Sequence, residues 1–144
     1  MVMKFIRKNT KLFEEVSENF PKLNYVIHRN KWVWGRSNII VTSDGCGLVT
    51  VSFENDMFAG PEKAAVLSGL SVVDSKRKSG YGRALVAAAE DLARKEGAKM
   101  MILWADKNDW VLDWYKRLGY VESDYPREPE DGEDSLQELE KKLV

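Results

Sequence analysis

Lys76-Arg77-Lys78-Ser79-Gly80-Tyr81-Gly82-Arg83 puts four cations and two glycines into one short segment. Residues of these kinds suit an anion, and a phosphate group above all. Glycine has no Cβ, so the backbone can approach a ligand closely, while the cations add positive charge around the same point. The setting strengthens the reading. Ala64 to Val73 is an apolar run that reads as a buried strand. Behind the turn a helix opens at about Gly82, with Leu85, Ala88, Ala89, Leu92 and Ala93 recurring at three- and four-residue spacing. Gly97 follows Arg94 and Lys95 as a natural stop. Strand, glycine turn and helix in this order bring unpaired backbone amides and the positive end of a helix dipole to one place, where anions bind.

Three phosphate motifs compete for this turn. A P-loop needs Gly-Lys-Ser/Thr at the helix start, and Gly82 is followed by Arg83-Ala84. A dinucleotide fingerprint needs a small residue three after the second glycine, where Leu85 stands. On spacing alone, a plain glycine-rich connection also fits. What matches better is Arg77-x-x-Gly80-x-Gly82, which resembles the Q/R-x-x-G-x-G/A segment of the Gcn5-related N-acetyltransferases, the GNAT superfamily. A second stretch agrees. Asn108-Asp109-Trp110-Val111-Leu112-Asp113-Trp114-Tyr115-Lys116-Arg117-Leu118-Gly119-Tyr120 is similar to that family's N-x-x-A-x-x-F/W-Y-x-K/R-x-G-F/Y, with Val111 in place of the common alanine. Together the two cover the chain from about Leu67 to Tyr120.

The resemblance implies an α/β (α+β) fold: a mixed central sheet of six to seven strands, about four helices on both faces, and a splayed strand pair at the cofactor site. It implies acetyl-coenzyme A as co-substrate and transfer of its acyl group to a primary amine, on a small molecule or a peptide. Backbone amides from Lys78 through Ser79, Gly80, Tyr81 and Gly82 to Arg83 would hold the diphosphate, with Arg77 beside them. Leu70, Ser71 and Val72 would pair with the pantetheine arm, and Asn108 and Tyr115 would also belong to the cofactor site. Tyr115 takes the position of the family's general acid, and a phenol of pKa about 10 can protonate a thiolate of pKa about 8.5.

Composition has a soluble globular balance. The chain has 144 residues, 44% hydrophobic and 31% charged, with a formal net charge of -1. One domain with a single core is expected at this length. A nucleic-acid binder would be net basic, so that class is disfavoured. No apolar run is long enough for a bilayer span, and Met1–Asn9 lacks the apolar stretch of a signal peptide. The one cysteine, Cys46, excludes an internal disulfide and multi-cysteine metal clusters. A cytosolic home is the simplest inference, no metal is expected, and a homodimer is compatible with the sequence.

The remaining elements follow in order. Met1–Arg7 reads as a short edge strand and Thr10–Phe20 as a helix ended by Pro21. Tyr25–Trp34 is a second short helix or a loop over the sheet. Ser37–Ser43 and Cys46–Glu54 form a hairpin through Asp44-Gly45, and Asn55–Glu62 is a loop. Ala98–Trp104 is a buried strand, Trp110–Leu118 a helix capped by Asp106, Asn108 or Asp109, and Tyr120–Glu122 a strand start. Asp124–Asp134 is an exposed acidic loop. Leu136, Leu139 and Leu143 suit a helix face, whereas the resemblance predicts a final strand over Ser135–Leu143.

The general base stays open. Where the family's strand sometimes carries a glutamate, this chain has Ser68 and Gly69; Glu54, Asp56 and Asp106 are alternatives. His28 reads as a solvated or structural histidine. Cys46 would need an activating base that the sequence does not offer. Of Trp32, Trp34, Trp104, Trp110 and Trp114, most are expected in the core and one or two at an acceptor pocket. The acidic stretch Glu122–Asp134 would attract a cationic acceptor. The competing reading is a GNAT-fold module that holds coenzyme A or a protein partner without transferring anything.

Overall fold

In a computed structural model of the chain, residues 2–5, 11–20, 35–124 and 135–144 are described. They build β1 (Met3–Phe5), α1 (Lys11–Asn19), β2 (Gly35–Thr42), β3 (Gly47–Glu54), α2 (Asn55–Phe58), β4 (Ala64–Val72), α3 (Tyr81–Lys95), β5 (Met100–Asp106), α4 (Val111–Arg117), β6 (Val121–Glu122) and β7 (Leu136–Lys142). The strands form one seven-stranded sheet in the order β1-β2-β3-β4-β5-β7-β6. Only β4 and β5 run parallel. A parallel pair needs a crossover, and α3 supplies it.

Two apolar layers explain why β3 is buried almost from end to end. On one face Ile40, Val49, Val51, Leu67, Met101, Leu103 and Leu139 pack with Leu85, Ala89 and Ala93 of α3 and Tyr115 of α4. On the other, Val41 and Leu48 pack with Val16 of α1. The larger cluster carries a polar tie. Glu90, 6% exposed, accepts from the Tyr120 hydroxyl at 3.0 Å and from Lys141 Nζ at 3.0 and 3.2 Å. Lys141 also donates to the Leu118 carbonyl at 2.9 Å and lies over the Tyr120 ring. Burial, and then Glu90 beside it, pushes the Tyr120 phenol far up.

The sequence reading needs several adjustments. The tail, by contrast, is the strand that the resemblance implies, because β5 offers it a full edge: Leu103 pairs with Leu139 and Asp106 with Leu136. Pairing and the burial of Leu139 override the helical spacing of the leucines. The 55–62 loop contains the one-turn helix α2. β5 starts at Met100 rather than Ala98, because the Ala98 amide closes α3 onto the Ala93 carbonyl at 2.9 Å beside Gly97 at φ +94°. No side chain caps α4, whose first flanking residue is Trp110. Asp106 instead accepts from the Asn108 amide at 2.9 Å. Tyr25–Trp34, with His28, Trp32 and Trp34, falls outside the described residues, as does residues 125–134 of the acidic loop.

Candidate active site

The parallel pair β4 and β5 is joined only at its lower end, through Ala64–Met100, Ala65–Met101 and Val66–Ile102. Above Val66 the two strands part, so Leu67–Val72 faces the opening without partners from β5. The cause lies in β4 itself. The β3–β4 register slips between Leu48–Ser71 and Thr50–Ser68, which places one extra residue on β4. Gly69 sits in that bulge at φ +63°, a conformation glycine tolerates without strain. A glycine inside a strand pattern is the signal that could have announced this bulge from sequence. Ser68 and Gly69 are exposed at the mouth of the opening, and Leu70, Ser71 and Val72 are half-buried along it.

Directly above, the chain turns back. The Val73 amide donates to the Cys46 carbonyl at 2.9 Å, and a 3-10 turn, Asp74–Lys76, leads into the glycine segment. Gly80 flanks α3 at φ +88°, ψ 1°, with no side-chain cap. α3 therefore begins at Tyr81, one residue before the sequence reading. Its first backbone bond is the Ala84 amide to the Gly80 carbonyl at 3.0 Å. Among the described residues, no well-formed hydrogen bond joins an amide from Lys78 to Arg83 to a protein acceptor, although residues 77–80 are coiled in a turn. Lys78 holds a left-handed φ of +64°, uncommon for a residue with a side chain. Amides so placed, at the positive end of a 15-residue helix, are suited to receive an anion, and the turn is called the cradle below.

The two glycines do different things. A Cβ built on Gly80 meets nothing within 4 Å, so it would project into the open space before the cradle. A Cβ on Gly82 would stand 3.2 and 3.3 Å from Cζ2 and Cη2 of Trp114. Gly82 thus lets α3 pack closely on α4, a role beside the close approach to phosphate that the sequence suggests. Arg77 also turns away from the cradle, bonding the Val72 carbonyl through Nε at 3.4 Å and Asp74 at 3.3 Å. Lys78 and Arg83 stay exposed beside it, and the Ser79 hydroxyl closes onto the Lys76 carbonyl.

Tyr81 reveals a support that the sequence did not. Its hydroxyl donates to Asp44 in the β2–β3 hairpin. The other Asp44 oxygen accepts from Thr42 Oγ1 at 2.6 Å and from the Cys46 amide at 3.0 Å. Burial alone would raise the Asp44 pKa, but these hydrogen bonds outweigh it and lower the value to about 2. The hairpin is thereby fastened to the residue between the two glycines. Burial, and then the Asp44 carboxylate, pushes the Cys46 thiol up, which suits no nucleophile.

Tyr115 sits on α4 with its ring edge-on to Trp114 at 5.0 Å and to Tyr120 at 5.7 Å. The residue is 6% exposed, and burial drives its phenol well above the usual value. Its hydroxyl has no partner among the described residues, so its proton is uncommitted. Asn108 is exposed in the loop above β5. Of the candidate bases, Asp106 ends β5 at the open side of the splay. Glu54 lies four residues down β3 from Thr50, the partner of Ser68, about 13 Å away at strand rise, and Asp56 follows it in α2. No group of three metal-binding side chains exists among the described residues. No described helix is long and apolar enough to cross a membrane.

The acetyltransferase (GNAT) family model matches residues 9–120. No match was found among curated protein sequences. Solved structures share the fold. The ribosomal-protein-S18-alanine N-acetyltransferase of Escherichia coli superposes with a TM-score of 0.69 at 15% identity, over 99% of this chain and 93% of that one. An aminoglycoside 6'-N-acetyltransferase complexed with coenzyme A gives 0.69 at 15% identity, over 100% and 98%. A Bacillus subtilis acetyltransferase in complex with CoA gives 0.66 at 16% identity, over 99% and 98%.

Proposed function

Because the chain belongs to the acetyltransferase (GNAT) family, we propose that it moves an acetyl group from acetyl-coenzyme A to a primary amine by direct attack in a ternary complex. One observation carries the reading: among the described residues, the amides from Lys78 to Arg83 make no well-formed hydrogen bond to protein, and they lie at the top of a splayed strand pair. The fit to the coenzyme is specific. The cradle suits a diphosphate, with Lys78 and Arg83 adding charge, and a Cβ at Gly80 would fill the space that a phosphate needs. Leu70–Val72, freed from β5 by the bulge, offers backbone groups to the two amides of pantetheine.

The coenzyme would supply the acyl group activated as a thioester. The chain's own groups do the rest. An amide donor on the splayed strand would polarise the thioester carbonyl, a contribution worth ~10²–10³ in rate where single donors have been removed elsewhere. Tyr115 would give its proton to the departing thiolate. Burial keeps that phenol protonated across the neutral and mildly alkaline range, so the acid is present whenever the amine is deprotonated. Asp106, at the open end of β5, would be a candidate to take the ammonium proton.

The test is a thiol-release assay with acetyl-coenzyme A against a panel of amines, from polyamines and aminoglycosides to peptides with free N-termini. The expected outcome is saturable release with at least one class. Coenzyme binding without release for any amine would assign the chain to the non-catalytic alternative.

A further inference from the structure

We propose that Tyr120, Glu90 and Lys141 are positioning residues for the proton donor, aiming the ring of Tyr115 from behind. The inference rests on the reading of Tyr115 as the acid and names the residues that hold it in place. Tyr115 is buried on α4, and its hydroxyl makes no hydrogen bond among the described residues. No polar partner there fixes the direction of the phenol, so its aim is left to packing. Two of the walls are aromatic and edge-on: Trp114, with ring centroids 5.0 Å apart, and Tyr120, at 5.7 Å. Trp114 is half-buried, whereas Tyr120 is enclosed. The inner wall is therefore the firmer reference for the acid.

That wall is held at both ends. The Tyr120 amide donates to the Tyr115 carbonyl at 3.2 Å, and its hydroxyl donates to Glu90 of α3 at 3.0 Å. Lys141 of β7 donates to both Glu90 oxygens and to the carbonyl of Leu118, the residue that closes α4. Its stem passes over Gly119, φ +100°, where a Cβ would stand 3.3 Å from Lys141 Cε. One ammonium thus joins α3, β7 and the end of the helix that carries Tyr115. Arg94 gives α3 a second hold on the tail, donating through Nε to the Leu143 carbonyl at 3.0 Å. A buried ion pair is commonly no more stabilising than apolar side chains of the same volume. What its directional bonds add is a single arrangement, and catalysis is sensitive to arrangement: a misplacement of about 1 Å can cost ~10²-fold in rate.

A double-mutant cycle on turnover tests the assignment, with acetyl-coenzyme A and an amine that supports thiol release, and with sites counted by coenzyme A calorimetry. Tyr120→Phe keeps the ring and removes its bond to Glu90. It should lower kcat about tenfold, with coenzyme A affinity and the KM of the amine within about twofold of wild type. In a Tyr115→Phe background the same change should alter kcat less than about twofold, because no donor is left to aim. Glu90→Gln, which keeps the shape of the side chain and removes its charge, is the second variant and should show the same pattern. A purely structural role would instead give equal losses with and without Tyr115. Equal losses in both backgrounds, or wild-type kcat in both Tyr120→Phe and Glu90→Gln, would overturn the proposal while leaving Tyr115 as the acid. Wild-type kcat in Tyr115→Phe alone would overturn the underlying reading as well.

Discussion

Gly80 and Gly82 lie two residues apart, yet the structure predicts opposite consequences for replacing them with alanine. At Gly80 the backbone is left-handed, φ +88°, which costs an L-residue roughly 1–2 kcal/mol. That corresponds to a fall in Tm of roughly 3–8 °C for a domain of this size. The added methyl meets no protein atom within 4 Å, and on the proposed reading it would compete with a phosphate for that space. Displacing one charge-assisted amide–phosphate bond, worth roughly 1.5–3 kcal/mol, weakens the ligand about ten- to a hundredfold. At Gly82 the methyl meets Trp114 at 3.2 and 3.3 Å, and the half-buried indole must yield by a few tenths of an ångström. Overpacking of this kind costs about 1 kcal/mol, partly offset by alanine's better helix propensity. Coenzyme A affinity in Gly82→Ala should stay within about threefold of wild type. Thermal melts and calorimetry on both variants decide the matter. Loss of binding in Gly82→Ala with binding retained in Gly80→Ala would refute the assignment of the open space to phosphate.

Three further outcomes are expected. Tyr115→Phe should lower turnover about a hundredfold with coenzyme A affinity unchanged. In wild type, the raised phenol pKa means no loss of rate from Tyr115 as pH rises toward 10, which a pH–rate profile of both proteins would show. Asp44→Asn loosens Tyr81, so coenzyme A should bind several-fold more weakly. Asp44 is also held below its ordinary pKa of 3.8, at about 2, so it stabilises the fold above pH 4 and that contribution disappears between pH 4 and 2. Urea midpoints across that window should therefore change less in Asp44→Asn than in wild type. Lys141→Met leaves the Glu90 carboxylate buried with Arg94 at 3.9 Å as its nearest cation, and unfolding in urea should show a loss of about 3 kcal/mol, the low end for a broken buried pair.

The strand, glycine turn and helix were legible because their signals are local. Glycines, cations and a strand-to-helix transition all fall within one short stretch, and the hairpin through Asp44-Gly45 was visible for the same reason. What the sequence hid is contact at long range. Tyr81 and Asp44 are 37 positions apart, and each looks like an ordinary turn residue on its own. Glu90 and Lys141 are 51 apart, and both read as solvated helix or tail charges. The direction in which a glycine lacks its side chain is likewise a tertiary property, and so the contact of Gly82 with Trp114 was not legible. The tail illustrates a different limit. Leu136, Leu139 and Leu143 have helical spacing, but an unpaired β5 edge decides their fate. The family resemblance foresaw the final strand where periodicity did not.

The most direct measurement follows the backbone amides themselves, by ¹H–¹⁵N correlation spectra recorded as coenzyme A is added. The account predicts that resonances of Lys78, Ser79, Gly80, Tyr81, Gly82 and Arg83 shift most, that inorganic pyrophosphate moves the same set, and that both effects weaken with salt. Spectra in which coenzyme A leaves those six amides unmoved, whatever else shifts, would contradict it.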